Sequence, residues 1–180
     1  MSNKQCKMKK LFILLLCAGV LSCSSVKTVF DYDKEVDFTK FKSYGLTEND
    51  LEEAVGPVNQ NRIISSLEEE LIGKGLTKSD DPDLLVDVHI KSEQIVEANA
   101  ASSVGYGSVG WQTANSGSYL QYDKYTEGSM FITMADNDSK IVVWQGVGTT
   151  IIDDSATGEE REEKIREIVQ GILSNYPYGK

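Results

Sequence analysis

Cysteine is scarce in this chain and confined to its start. The three cysteines of 180 residues are Cys6, Cys17 and Cys23. From Ser24 onward there is none, which excludes a disulfide or a cysteine metal site in that part. Its stability must come from a hydrophobic core. Histidine occurs once, at His89. A serine or cysteine hydrolase relying on histidine would have to use that residue, and no nucleophile-elbow sequence accompanies it. A zinc site lacks ligands. Gly73-Lys74-Gly75 closes a helical pattern instead of opening one, so it makes no phosphate cradle. Basic residues are also few, 18 against 28 acidic, for a net charge of −10. That balance argues against nucleic acid as a partner and against electrostatic adhesion to anionic lipid head groups.

A long apolar run is missing too. The stretch Leu11–Leu21 is shorter than the roughly 20 residues that span a bilayer. It follows Lys9 and Lys10 and ends at Val20-Leu21-Ser22-Cys23. A basic start, a short apolar run and an aliphatic residue three before a cysteine form the pattern of a bacterial lipoprotein signal. Residues 1–22 are then expected to be removed and Cys23 acylated, with palmitate among the expected chains. Cys17 is a poor rival, since bulky Leu16 precedes it. The segment takes Lys4, Lys7, Lys9 and Lys10 with it, so the net charge of −10 becomes −14. Acyl chains, not charge, must hold such a protein on its membrane. One chain binds marginally and several bind stably.

Residues 23–26 form the acylated cysteine and a short tether, and 27–180 a single domain. Lys27–Tyr32 reads as a strand, with Val29 and Phe30 apolar. Asp37 can cap one helical turn that carries Phe38 and Phe41 on one face. Ser43–Leu46 is a short strand. Glu48–Glu53 is an acidic run expected to be a solvated loop. Pro57 opens a helix to Lys74, with an apolar stripe of Ile63, Ile64, Leu67, Leu71 and Ile72. Gly75 stops it. Leu84–Ile90 alternates as a half-buried strand that can continue to Ala98, with Asp87 and His89 outward.

Asn99–Ser118 is rich in Ala, Gly and Ser and is expected to be a mobile loop or floppy hairpin. Tyr119–Ala135 holds a strand, strongest at Met130–Met134. Asp136–Ser139 turns the chain, and Lys140–Ile152 returns antiparallel. Trp144 is expected in the core with Val142 on its own face. Thr157 and Glu160 match a capping box for a helix to Asn175. Its stripe is Ile165, Ile168, Val169, Ile172, Leu173 and Tyr176. The pattern predicts an α+β fold, an antiparallel sheet with two amphipathic helices packed on one face.

No catalytic constellation appears. Asp31 with Asp33, and Asp153 with Asp154, are carboxylate pairs whose ordinary place is a turn or solvated edge. Asp136-Asn137-Asp138 starts like a calcium loop, but Lys140 stands where another oxygen ligand is wanted. No metal and no cofactor are therefore expected. Tyr106, Trp111 and Tyr119 sit in or beside the small-residue segment with little cover. They are the candidate binding lip.

Several segments resemble a known family. They are DYDKEVDFTKFKSYGL, NRIISSLEEELIGKGL with DPDLLVDVHI, YTEGSMFITMADNDSKIVVWQGVGTTI, and EKIREIVQGILSNYP. The most specific pieces are Asp31-Tyr32-Asp33, Lys74-Gly75-Leu76, Pro82-Asp83-Leu84, Glu127-Gly128 and Trp144-Gln145-Gly146. Together they resemble the domain of unknown function four-one-three-six, a lipoprotein family frequent in Bacteroidetes and other Gram-negative bacteria. The resemblance implies an envelope lipoprotein setting and no established activity. The chain departs from the family at Leu46, where an aromatic is usual, and at Thr133, where an acid is common.

The expectation is a membrane-anchored envelope lipoprotein whose domain binds or scaffolds an envelope protein or glycan. The alternative is a carboxylate-dependent hydrolase of envelope glycan or peptide. A carboxylate pair roughly 5–9.5 Å apart in a cleft would favour it. Ser24 after Cys23 points to the outer membrane, with the domain in the periplasm.

Overall fold

The computed structural model describes residues 26–47, 51–101 and 119–178. In chain order the elements are β1 (Lys27–Tyr32), a 3-10 turn (Phe38–Lys40), β2 (Ser43–Leu46), α1 (Leu51–Val55) and α2 (Pro57–Gly73). There follow β3 (Thr77–Lys78), β4 (Leu84–Ala101), β5 (Tyr119–Asp136), β6 (Val142–Ile152) and α3 (Gly158–Leu173). The six strands form one sheet in the order β1-β6-β5-β4-β2-β3. The long helices α2 and α3 pack side by side on one face, which is the α+β arrangement expected.

The sheet is mixed, not purely antiparallel. β2 runs parallel to both β3 and β4. The cause is the helical connection. α1 and α2 carry the chain back to the end where β2 began, so the next strands run the same way. Sequence alternation within each strand holds no record of that crossover.

Local signals act as read. Thr157 Oγ1 accepts from Glu160 N–H, and the Glu160 carboxylate accepts from Thr157 N–H, completing the capping box of α3. Asp37 Oδ1 accepts the Thr39 N–H at 2.9 Å. Gly75, at φ 85°, ends α2 in a left-handed conformation. Its N–H reaches Ile72 O, and Leu76 N–H reaches Leu71 O. That is a Schellman closure, with Leu76 and Leu71 both buried.

Three further expectations are corrected. The acidic run is not all loop, because α1 starts at Leu51 and buries it. Leu51 and Val55 lie four apart on the core side, while Glu52 and Glu53 face water. Ile72 is 59% exposed and outside the stripe. The stripe is centred on Ile63, Leu67 and Leu71, and one further residue turns about 100° away. Val142 is exposed and does not share the face of Trp144. A bulge intervenes: Met134 pairs with Trp144 but Ala135 with Val142, so Val143 is the extra residue and is buried instead.

The core beneath the helices ends in an aromatic group. Tyr176 meets Trp144 and Phe38 edge-on, each at 5.7 Å between ring centres, and Phe38 meets Tyr32 and Phe41 at 5.9 Å. At the opposite end of the sheet, β6 stops where Ile152 pairs with Thr126. β4 and β5 continue together to Ala101 and Tyr119 as a two-stranded ribbon.

Candidate functional site

The feature that can take a ligand lies between the sheet and the N-terminal half of α3. On β6 the residues facing the helices are Trp144, Gly146, Gly148, Thr150 and Ile152, every second position. A Cβ added to Gly146 would meet Ile172 Cγ2 at 2.5 Å, and one on Gly148 would meet Ile168 Cγ2 at 3.0 Å. The two glycines therefore let α3 lie close against β6. One turn of strand further, Thr150 and Ile152 carry side chains. The rise in side-chain size along the strand wedges α3 away from the sheet and opens a cleft of about 510 Å³.

Its walls are mainly apolar. Ile90, Met130 and Ile152 belong to the sheet, Ile63 to α2, and Ile165 and Ile168 to α3. Gly128 is part of the shape, since a Cβ there would meet Ile152 Cδ1 at 2.9 Å. Arg62 ties the roof together. Its Nε lies 3.6 Å from Glu162 Oε2 on α3, and its Nη1 donates to Asn59 Oδ1 at 3.1 Å. The charged lining residues are Asp153, Asp154, Glu160, Arg161 and Lys164.

Two of those carboxylates, Asp153 and Glu160, serve the loop between β6 and α3. Asp153 Oδ1 accepts from Ser155 Oγ and N–H, and these bonds hold its carboxyl below the usual range. The Thr157 N–H and hydroxyl do the same for Glu160. Arg161 Nη2 donates to the Asp154 carbonyl at 3.0 Å. Neither Asp153 nor Glu160 is tuned toward neutral pH, as a general acid would be.

A second, smaller notch of about 190 Å³ lies at the other end, beside the β5–β6 turn. Lys40 Nζ meets Asp136 Oδ2 at 2.6 Å, while Asp136 Oδ1 accepts the N–H groups of Asp138 and Ser139. Lys40 above all, with those N–H groups, pushes the Asp136 carboxyl down to about 2. Asp83 accepts the N–H groups of Lys42 and Ser43 and the Ser43 hydroxyl. The would-be calcium loop is thus a turn whose first aspartate binds lysine and backbone. Asp83 ties the start of β4 to β2, and Asp136 ties the end of β5 to the 3-10 turn.

Cys23, Tyr106 and Trp111 lie outside the described residues. Tyr119 begins β5, its backbone opposite Ala101; its side chain is outside the description. His89 stands exposed on the sheet face away from the helices, 6.3 Å from the ring of Phe131. Trp144 is fully buried in the core. Among the described residues, no group of three or more His, Cys, Asp or Glu could hold a metal ion. The cleft was not anticipated. Its one signal in the sequence is the run Gly146-Val147-Gly148-Thr149-Thr150-Ile151-Ile152, with small residues giving way to large on alternate positions.

A family model described as Domain of unknown function (DUF4136) matches residues 28–178. The chain belongs to that family. Its specific pieces now have structural roles: Gly75 closes α2, Asp83 clamps β2, and Gly146 receives the Trp144 ring. No curated protein matches the chain. A PDZ domain protein from Parabacteroides distasonis ATCC 8503 is 21% identical over 87% of this chain, with a TM-score of 0.53. The chain spans 36% of that structure's length, and the likeness bears on the fold alone. A PelC dodecamer from Paraburkholderia phytofirmans is 10% identical over 83% of this chain and 95% of its own, with a TM-score of 0.46.

Proposed function

We propose that this protein is an outer-membrane lipoprotein, held by lipid on Cys23, whose periplasmic domain is a non-catalytic binding module. The apolar cleft under α3 carries this reading. Its volume lies in the roughly 300–1,000 Å³ range of small-molecule sites, and its walls suit an apolar ligand or the apolar side of a partner. Its Asp153 and Glu160 carboxylates are spent on loop bonds and helix capping, which weighs against the hydrolase. The Val20 to Cys23 pattern supplies the anchoring half. No helix among the described residues is long and apolar enough to cross a membrane.

The test has two parts, both on the full chain in its envelope. Metabolic labelling with a fatty acid should mark the wild type, and Cys23→Ala should lose the label and its outer-membrane fractionation. Label that persists on the alanine variant refutes the anchor. An apolar fluorescent dye should bind the purified protein, and Ile152→Asp should weaken that binding about tenfold. Equal dye binding by both would remove the cleft as the site.

A further inference from the structure

We propose that the cleft holds one acyl chain of the lipid carried by this protein's own Cys23. The inference rests on the acylation proposed above and goes on to name what fills the cleft.

The argument starts from where the described chain begins. Lys27 pairs with Thr149, next to Thr150 of the cleft lining. The N-terminus therefore enters at the same end of the sheet as the cleft. Cys23 precedes Lys27 by four residue steps, a reach of about 13 Å at roughly 3.3 Å each. From β1 across β6 to β5 is two strand spacings, about 10 Å. A lipid on Cys23 is thus within reach of the cleft mouth before the length of the acyl chain is counted.

The lining has the chemistry for this occupant. Ile63, Ile90, Met130, Ile152, Ile165 and Ile168 offer hydrocarbon. A chain whose polar head is fixed to the protein outside needs no head-group site within. A methylene chain is flexible enough to follow a tapering space between helix and sheet. Delivery is intramolecular, and attachment only a few residues away raises the effective concentration to the order of millimolar. Such a tether favours the chain's own lipid over one drawn from the bilayer. The remaining acyl chains stay in the membrane.

Cells making the full chain are fed a fatty acid bearing a diazirine and a terminal alkyne, then irradiated. Trypsin releases Cys23–Lys27 as one peptide and Ile141–Arg161 as another. The expected product joins these two peptides through the acyl chain. Ile152→Asp, at a position 39% exposed and so tolerant of change, should reduce it at least tenfold. Ile141→Asp, just before β6 begins, should leave it unchanged. The wild-type mapping stands whether or not either variant folds. Lipid on Cys23 with no link to the cleft peptides overturns the proposal. So does lipid on Ile141–Arg161 that is not joined to Cys23, which would make a bilayer lipid the occupant. A Cys23–Lys27 peptide without lipid would overturn the anchoring itself, and it is read independently of any cross-link.

Discussion

Between Leu84 and Ile90, β4 lies in a sheet with α2 and α3 above it. Beyond Gln94 the sheet narrows to β4 and β5 alone, because β2 ends at Leu46 opposite Val86 and β6 ends at Ile152 opposite Thr126, the partner of Gln94. The two halves of this hairpin share one ladder and very different burial. Val86, Val88, Ile132 and Met134 in the first half are buried, whereas Val96 and Tyr122 in the second are 55% and 59% exposed. Alternation therefore selects a face, and only cover from other elements makes that face a core. A two-stranded ribbon is marginal in water by itself. Cross-strand pairs hold the distal half, such as Ile95 opposite Tyr125, whose hydroxyl donates to Glu97 at 2.9 Å.

The sharpest way to break this contrast is to truncate each half. Ile132→Ala should cost about 2–5 kcal/mol in urea denaturation. A cost within about 0.5 kcal/mol, the range of surface sites, would mean that the proximal half is no core. Ile168→Ala and Ile172→Ala on α3 should fall in the same 2–5 kcal/mol range.

Crowding offers the next test. Gly146→Ala forces a Cβ against Trp144 and Ile172 and should cost about 1–3 kcal/mol. Gly128→Ala meets only the end of the partly exposed Ile152 side chain, which can swing aside, and should cost less. The reverse order would show that α3 is not held close to β6 by its glycines.

The acid limb of stability tests the base of the hairpin. Asp136 titrates at about 2 when folded, below its ordinary 3.8. A depressed carboxylate stabilises the fold above the unfolded pKa, and that stability is lost as pH falls from about 4 through about 2. Partner Lys40 is half exposed, so screening reduces the contribution to about 1–2 kcal/mol. Asp136→Asn should flatten the stability profile below pH 4 by that amount. An unchanged profile would show that the pair is solvent-screened entirely.

Smaller still is the gain from Tyr176→Phe. The Tyr176 hydroxyl is buried with no hydrogen-bond partner among the described residues, and burial pushes its pKa up. Removing an unsatisfied group should stabilise by about 1 kcal/mol, seen as a raised Tm. Val96→Ser on the distal ribbon should stay within about 0.5 kcal/mol of wild type. A larger loss there would mean that something covers the ribbon.

Much of the secondary structure was legible in the residues because its causes are local. The Thr157–Glu160 box, Pro57 at the start of α2, the Gly75 closure and the alternation from Leu84 to Ile90 each act within a few positions. α1 was obscured by its acids, though Leu51 and Val55 had the spacing that reveals it. The candidate lip at Tyr106 and Trp111 lies outside the described residues, as does the Tyr119 side chain, and the cleft is built from other residues. Ile90, Ile152 and Ile165 look like ordinary core positions one by one, and only their shared incomplete cover, over the buried Ile63, makes them a site.

The sequence by itself determined most of the elements, their caps and most of the faces they bury. These rest on periodicities of two and 3.6 residues and on hydrogen bonds spanning a few positions. Only the tertiary structure decided that β2 inserts parallel beside β4, that Val143 bulges inward, and that α3 leaves the sheet beyond Gly148. Each depends on contacts between segments far apart in the chain. A helix-to-sheet gap is set by the sizes of side chains on both partners at once, and no single stretch of sequence contains both.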